Sequence, residues 1–227
     1  MPLRQKASLL DLGLMDYRRA YGLQLDLVEK RRTGRLDTDI FLLTEHPAVF
    51  TLGRRGGQEN LAVSREFLDR QGIALIPIER GGDITYHGRG QLVVYPIILL
   101  KSAGLSVTEY IFRLEEVMIR LSRDYGVAAV RDARNHGVWS GDRKLGSVGI
   151  AIRHGVAFHG LAINVTTCLE HFGWINPCGL TGVRMTSLAR ELGREMALEE
   201  AKQRMKGHLA EIFERDFSLM GLEPLLE

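Results

Sequence analysis

A glycine-rich polar loop that runs directly into a long apolar segment limits the folds open to this chain. Residues 80–90 read Arg-Gly-Gly-Asp-Ile-Thr-Tyr-His-Gly-Arg-Gly, and Gln91–Leu100 is almost wholly apolar. The apolar segment is typical of a strand that is buried on both faces. Glycines allow positive φ and let a ligand approach the backbone closely, so the loop is a candidate binding surface. A wide hairpin turn whose glycines only satisfy geometry explains the loop equally well.

Helical and extended segments alternate along the chain, which has no linker, internal repeat or low-complexity tract. Helical spacing and a capping box at Ser106 predict helices over about 13–32, Ser64–Gln71, Ser106–Tyr125, Thr186–Leu192 and Leu198–Phe217. Strands are predicted at Asp39–Thr44, Ala48–Leu52, Ala74–Ile78, Gln91–Leu100, Val127–Val130, Val138–Trp139, Leu145–Arg153 and Val156–Val165. This order indicates one α+β domain over residues 1–227, with a mixed, largely antiparallel sheet flanked by helices.

Composition narrows the class of protein. Hydrophobic residues make up 45% and charged residues 26% of the 227 positions, as in ordinary globular proteins. The formal net charge of +2 argues against a nucleic-acid-binding protein. No apolar stretch approaches the roughly 18 residues that a membrane span needs, and the N-terminus lacks the apolar core of a signal peptide. Two cysteines make no disulfide framework, so a cytoplasmic enzyme with reduced thiols is expected.

Cys178 is the strongest candidate for a nucleophile. It stands between a proline and a glycine in Asn176–Gly179, which favours an extended approach and an accessible sulfur. An unperturbed cysteine has a pKa of about 8.5, so attack near neutral pH requires a lowered pKa. A close ammonium or imidazolium lowers it, and Lys144 and His159 are both candidates between which spacing does not choose. Cys168 is expected to be an inert core residue.

Two other chemistries use some of the same residues. A Cys–His hydrolase would take His159 as its base and Asn164 as the group that orients the base. Zinc would have Cys168, His171, Cys178 and His159 as ligands, but no second CxxC or HxxxH pair accompanies them, so no metal site is expected. The chain has neither a phosphate-binding Walker sequence nor a GxGxxG motif after a strand, which argues against a nucleotide-dependent reaction.

Six motifs in a fixed order carry a resemblance to a known family. They are His46–Arg54 (HPAVFTLGR), Arg80–Gln91 (RGGDITYHGRGQ), Gly137–Trp139 (GVW), Lys144–Gly149 (KLGSVG), Phe158–Asn164 (FHGLAIN) and Asn176–Gly179 (NPCG). Together they resemble the lipoyl(octanoyl) transferases, which are similar in fold to biotin and lipoate protein ligases. The resemblance runs from about residue 10 to 192.

The resemblance implies a role for each motif residue. Cys178 would carry the octanoyl group as a thioester, and Lys144 would lower the pKa of the cysteine and act as acid and base. The segments that would line the acyl site supply these substrate-binding residues: Arg80, Gly81, Gly82, Asp83, Ile84, Thr85, Tyr86, His87, Ser147, Val148, Gly149, His159, Gly160, Leu161 and Ala162.

The resemblance also implies a reaction and its partners. Octanoyl-acyl carrier protein would be the donor, and a lysine of a lipoyl domain would be the acceptor, in the E2 subunits of 2-oxoacid dehydrogenases and in the glycine cleavage H protein. No cofactor, nucleic acid or membrane is expected, and the protein is expected to be a monomer. The thioester is already activated, so no ATP is needed. An ATP-dependent lipoate–protein ligase, which would survive Cys178→Ala, and a non-catalytic scaffold are the alternatives.

Overall fold

The computed structural model describes residues 4–176, 182–219 and 221. Cys178 therefore lies outside the described residues. The strands are β1 (Gln5–Leu14), β2 (Asp39–Glu45), β3 (Val49–Leu52), β4 (Ala74–Pro77), β5 (Ile84–His87), β6 (Gln91–Leu99), β7 (Val130–Asp132), β8 (Asn135–Ser140), β9 (Arg143–Arg153), β10 (Val156–Asn164), β11 (Arg184–Met185) and β12 (Arg215–Leu219). The helices are α1 (Tyr17–Arg32), α2 (Arg65–Arg70), α3 (Val107–Asp124), α4 (Leu188–Leu192) and α5 (Leu198–Ile212), with 3₁₀ turns at Gln58–Asn60 and Glu170–Trp174.

Two sheets form the framework. The larger sheet has the order β12-β1-β2-β6-β10-β9-β8-β7, and β11 pairs with β9. The pairs β12–β1, β1–β2 and β11–β9 are parallel, and the other pairs in this sheet are antiparallel. The smaller sheet has the order β4-β3-β5. The predicted α+β class with a mixed, largely antiparallel sheet is confirmed.

Helices cover both faces of the larger sheet. Apolar side chains of α3 and α5 pack on one face, around Leu114, Met118 and Leu209. The stripe of α1, including Leu23 and Leu27, packs on the other face. Part of this second face is left for the smaller sheet, which has its own apolar cluster, and residues of both sheets line one cleft there.

Local sequence signals explain where the helices begin. Asp16 caps α1 by accepting a hydrogen bond from the backbone N–H of Arg19 at 3.1 Å. Ser106 caps α3 in the same way, with the N–H of Glu109 at 3.1 Å, as its capping-box sequence predicts. The hairpin between β9 and β10 turns at His154 and Gly155, whose φ angles are both positive, at 50° and 82°.

Several sequence-based boundaries are wrong. The helix predicted over Leu198–Phe217 ends at Ile212, because Glu214 has a φ of 55° and the chain then pairs with β1 as β12. The strand predicted at Val127–Val130 starts only at Val130. The strands β1 and β5 were not predicted. Among the described residues, no helix is long and apolar enough to cross a membrane.

Candidate active site

A partly enclosed cleft lies where the smaller sheet meets the uncovered part of the larger one. Residues of β6, β9 and β10 form its floor, and the 80–83 segment with β5 forms its roof. The backbone joins roof and floor, since the N–H of Gly81 donates to the carbonyl of Ile150 at 2.8 Å. The motif segments distant in sequence are thus brought into one concave site, as is typical of ligand-binding sites.

The cleft is lined by all of the predicted substrate-binding residues except Ile84 and Tyr86. Side chains alternate along β5, so Thr85 and His87 face the cleft. Ile84 and Tyr86 instead join the apolar cluster of the smaller sheet, where the ring of Tyr86 stacks on that of His171 at 4.8 Å. Those two residues support the roof on the side of β5 that faces away from the cleft.

Part of the floor consists of small residues in two cross-strand pairs. Gly149 pairs with Gly160, and Ser147 pairs with Ala162, across β9 and β10. No bulky side chain from these four positions rises toward the roof, so the pairs leave a shallow trough between the sheets. Such a trough accommodates an extended apolar chain.

Lys144 lies on β9 beyond one end of this trough, two residues before Gly146, which lines the cleft. Its exposed fraction is 1%, although its place next to a turn in the sequence suggested solvation. The ammonium lies 5.6 Å from the centre of the Trp139 ring, on the paired strand β8. The carbonyl of Lys144 accepts a hydrogen bond from the N–H of Thr186 at 2.9 Å. A buried lysine is thereby fixed beside the cleft, and its pairing with Cys178 stays a prediction.

Arg80 fixes the roof of the cleft. Its guanidinium donates to the carbonyl and the hydroxyl of Thr51, both at 2.9 Å, and to the carbonyl of Gly81 at 3.1 Å. These bonds tie the 80–83 segment to β3 from inside. The conformation of the loop therefore depends on Arg80.

Three buried histidines lie around the cleft, and burial is the main reason why each has a lowered pKa. The pKa values are about 4 for His46, about 3 for His87 and about 3 for His159. All three imidazoles are thus neutral near pH 7. His46 is held by the carbonyl of Met15 and the hydroxyl of Tyr95, each at 2.8 Å.

His159 has an unusual conformation at the other end of the trough. Its φ is 56°, and Pro96, which stands opposite it in the register of β6 and β10, has no N–H for the ladder. The ring stacks between Tyr21, at 5.5 Å, and Phe158, at 4.8 Å. Within the described residues, neither ring nitrogen has a hydrogen-bond partner.

The arrangement does not support a Cys–His hydrolase. The side chain of Asn164 bonds to Gln91 and to the carbonyl of Thr186, both at 2.9 Å, and not to His159. The orienting contact that the hydrolase needs is therefore missing from these two residues. Cys168 is exposed, so its assignment to the core is wrong. No group of three or more metal-ligating His, Cys, Asp or Glu side chains occurs in the described part of the chain.

Other lining residues were not predicted from the sequence. They are Tyr17, Gln91, Val93, Tyr95, Asn135, Gly146, Asn164, Phe172 and Met185. Gln91 and Asn164 could have been recognised, since each is a polar residue at the end of a strand that is otherwise almost wholly apolar. The remaining residues resemble core residues in sequence, and only the tertiary fold places them at the cleft.

Comparisons with known proteins agree with this geometry. Residues 16–210 match the family described as the lipoyl protein ligase A/B catalytic domain. The octanoyltransferase of Desulfotalea psychrophila is 56% identical over 207 residues, which cover 90% of this chain and 93% of the relative. That of Syntrophobacter fumaroxidans is 47% identical, with 98% of both chains covered.

Solved structures show the same fold at low sequence identity. Lipoate-protein ligase A bound with ATP aligns with a TM-score of 0.75 at 18% identity, covering 97% of this chain and 92% of the other. The lipoate protein ligase of a Thermoplasma acidophilum lipoylation system also aligns at 0.75 and 18% identity, covering 97% and 90%. The chain therefore belongs to the lipoyl protein ligase A/B catalytic domain family, and within that family to the octanoyltransferases.

Proposed function

We propose that this octanoyltransferase works through an acyl-enzyme thioester on Cys178, with the octanoyl chain held in the trough. The observation that supports this most directly is that β9, which contributes small residues to the floor, also carries a buried lysine two residues before its first lining residue. The relatives named octanoyltransferase support the nature of the acyl group. The described residues of both sheets contribute to the cleft, so we take residues 1–227 as one catalytic domain.

The register of β9 and β10 suggests how the chain lies. From Gly146 to Gly149 the strand advances by three residues, or about 10 Å. An extended eight-carbon acyl chain, with C–C bonds of about 1.5 Å, has a length of about 9 Å. The thioester would lie near Lys144, and the methyl end would lie over Gly149 and Gly160. Burying the chain contributes about 0.8 kcal/mol for each methylene.

The reaction has two displacement steps. In the first, the Cys178 thiolate attacks the thioester carbonyl of octanoyl-acyl carrier protein, and the thiolate of the carrier leaves. In the second, the amine of the acceptor lysine attacks the Cys178 thioester, an amide forms, and the Cys178 thiolate is released. Lys144 would take the proton that the amine loses and would donate a proton to the departing carrier thiolate. Over the two steps the octanoyl group passes from one sulfur to another and then to nitrogen, and every proton is accounted for, so the reaction needs no ATP.

The acceptor we propose is a lysine of a lipoyl domain, in E2 subunits and in the glycine cleavage H protein, in the cytoplasm. This agrees with the Thermoplasma lipoylation system, which comprises a lipoate protein ligase and its E2 lipoyl domain. Exposed arginines next to the roof suit acidic partners. The backbone N–H groups of Arg54 and Arg55 donate to the carbonyls of Arg80 and Gly82, at 3.0 Å each, and both residues are exposed. Arg89 is exposed as well. We expect a monomer to suffice, because one chain supplies the whole cleft.

Intact-mass measurement after brief incubation with octanoyl-acyl carrier protein, without ATP, tests this route. The wild type should gain an octanoyl group that hydroxylamine removes and that is lost once a lipoyl domain is added. Cys178→Ser should lose the hydroxylamine-labile adduct, whereas Cys168→Ser, which changes the exposed cysteine, should keep it. Lys144→Met should slow both the gain and the transfer.

Two results would contradict the proposal. An adduct that persists unchanged in Cys178→Ser would place the thioester elsewhere or remove it from the mechanism. Modification of the lipoyl domain only when ATP and free octanoate are supplied would place the chain with the ATP-dependent ligases.

A further inference from the structure

A chain of side-chain and backbone hydrogen bonds runs from the roof of the cleft to the peptide of Lys144. Nδ1 of His87 lies 2.7 Å from Oε1 of Gln91. Nε2 of Gln91 lies 2.9 Å from Oδ1 of Asn164, and Nδ2 of Asn164 lies 2.9 Å from the carbonyl of Thr186. The N–H of Thr186 completes the chain at the carbonyl of Lys144, at 2.9 Å. The path connects β5, β6, β10 and the β11 segment to β9.

The direction of every bond in this chain is determined by its neighbours. A backbone carbonyl can only accept, so the amide nitrogen of Asn164 faces Thr186 and its oxygen faces Gln91. The amide nitrogen of Gln91 likewise faces the carbonyl of Tyr86, at 3.2 Å, and its oxygen faces His87. Nδ1 of His87 must therefore carry the hydrogen, which makes Nε2 the acceptor nitrogen of the neutral ring. All four donors point the same way, and such chains strengthen one another in a buried site.

Glu191 holds the Lys144 end of the chain. Its carboxylate accepts hydrogen bonds from the hydroxyls of Thr186 and Ser140 and from the guanidinium of Arg143. Burial opposes ionisation of Glu191, but these hydrogen bonds outweigh burial and lower its pKa. Glu191 on α4 thus joins β8, β9 and the Thr186 segment around Lys144.

We propose that Gln91 and Asn164 are positioning residues for acyl transfer: Gln91 fixes His87 as the Nδ1–H tautomer, and Asn164 holds the Lys144 peptide through Thr186. The expected effect on kinetics rests on the proposed function. The expected tautomer of His87 rests on the hydrogen bonds alone. Because Nδ1 of His87 donates to Gln91, Nε2 is an uncharged acceptor for the N–H groups at the polar end of the substrate. A sub-ångström shift of the Lys144 peptide would in turn misplace its ammonium.

Burial and the neighbouring groups keep His87 uncharged in this arrangement. Tyr17 stacks on its ring at 5.7 Å, and His46 contacts it edge-on at 5.9 Å. Burial disfavours a protonated ring most, and the positive charge of Arg80 adds to this. A tautomer that is fixed in this way should not change between about pH 5.5 and 8.

Nitrogen NMR of the histidine rings in the substrate-free protein tests the tautomer directly, with His87 identified by its absence in His87→Gln. The wild type should show Nδ1 protonated and Nε2 unprotonated, without titration between about pH 5.5 and 8. Gln91→Met, which removes the acceptor, should release this preference and shift both ring signals. Asn164→Leu should leave the His87 signals in place, because the His87–Gln91 bond is retained.

Kinetics then separates the two ends of the chain. Asn164→Leu should lower kcat roughly tenfold or more with little change in KM, because Lys144 is displaced while the acyl trough is kept. Thr44→Val is the matched control: Thr44, like Asn164, is a buried polar residue whose side chain donates to a backbone carbonyl, that of Gly13 at 3.0 Å, but it lies away from the cleft. It should leave kcat and KM unchanged.

The proposal is overturned if wild-type His87 carries its proton on Nε2 or titrates near neutral pH. It is also overturned if Gln91→Met leaves the ring signals unchanged, or if Asn164→Leu folds and keeps its kcat. Failure of the thioester route would appear differently, as a missing adduct on Cys178 in a protein whose His87 signals are as expected.

Discussion

Replacing Gly149 with alanine should shorten the acyl chain that the enzyme prefers. A Cβ at this position would lie 3.0 Å from Cδ of Arg80 and 3.3 Å from the carbonyl oxygen of Gly81, so it would point into the narrow gap between floor and roof. The φ of Gly149 is not positive, and alanine can adopt the backbone conformation. The methyl group would therefore press on Arg80 and Gly81 and change the shape of the trough at the end that we assign to the methyl end of the octanoyl chain.

The size of the effect follows from the methylenes displaced. If the new methyl group excludes one or two carbons, the loss is about 0.8–1.6 kcal/mol, at about 0.8 kcal/mol for each buried methylene. That corresponds to a decrease of roughly fourfold to fifteenfold in kcat/KM for the octanoyl donor. A hexanoyl chain ends before Gly149, so its kcat/KM should change by less than about twofold.

Steady-state transfer to a lipoyl domain from hexanoyl, octanoyl and decanoyl carrier protein measures this preference. Gly207→Ala, on the exposed side of α5 where a Cβ meets nothing within 4 Å, is the control for a glycine-to-alanine change and should leave all three rates unchanged. Equal loss for the hexanoyl and octanoyl donors would refute the assigned direction of the chain, since it would mean that Gly149 lies near the reacting carbon or acts only through the fold.

Three further predictions concern the partner surface and stability. Arg54→Glu with Arg55→Glu should raise KM for the carrier-bound donor severalfold at low salt, with Arg65→Glu on α2 as the control; an unchanged KM would dismiss that surface. Asp39→Ala should lower the free energy of unfolding by about 3–5 kcal/mol in urea, because it removes the carboxylate that pairs with buried Arg215 at 2.8 Å; a loss below about 1 kcal/mol would contradict this. The three buried histidines have folded-state pKa values below the unfolded value of about 6.5, so the unfolded chain binds more protons below pH 6.5 and stability must fall as pH drops toward 4 or 3. Each should contribute about 1.4 kcal/mol of loss per pH unit, and a urea midpoint that is constant from pH 7 to 5 would rule this out.

Sequence reasoning predicted the parts of the molecule that local patterns determine. The helix after Ser106 and the apolar strand after Gln91 were found because capping chemistry and burial on both faces leave clear local signals. The family motifs also identified Lys144 as a candidate catalytic residue, although its neighbours in sequence resemble a solvated turn. Only the packing of β11 and the segment after it over β9 explains its burial.

What the sequence could not predict depends on contacts between distant segments. The segment 215–219 continues the apolar spacing of α5, and it becomes a strand because β1 offers an unpaired edge. In the same way, 84–87 resembles part of a polar loop until β3 pairs with it. The division of that segment into two residues that face the cleft and two that support the roof follows from this pairing alone.

The polar groups around the trough show how it can hold an alkyl chain. Burying an unsatisfied polar group costs about 1–3 kcal/mol, so a wall with several open donors and acceptors would bind water in preference to methylenes. Gln91 and Asn164 bond to each other and to carbonyls, and the guanidinium of Arg80 bonds to β3. The two amides are thus satisfied within the protein, so an alkyl chain that passes them need not satisfy them.

His159 differs from these two amides, and its place in the trough gives it a role of a different kind. It combines a positive φ with two ring nitrogens that have no partner among the described residues, and both features destabilise the fold. Such costs persist where function requires a particular shape, and here the flat ring, stacked between Tyr21 and Phe158, closes the end of the trough opposite Lys144. The polar residues near Lys144 therefore act through their hydrogen bonds, whereas His159 acts through the position of its ring.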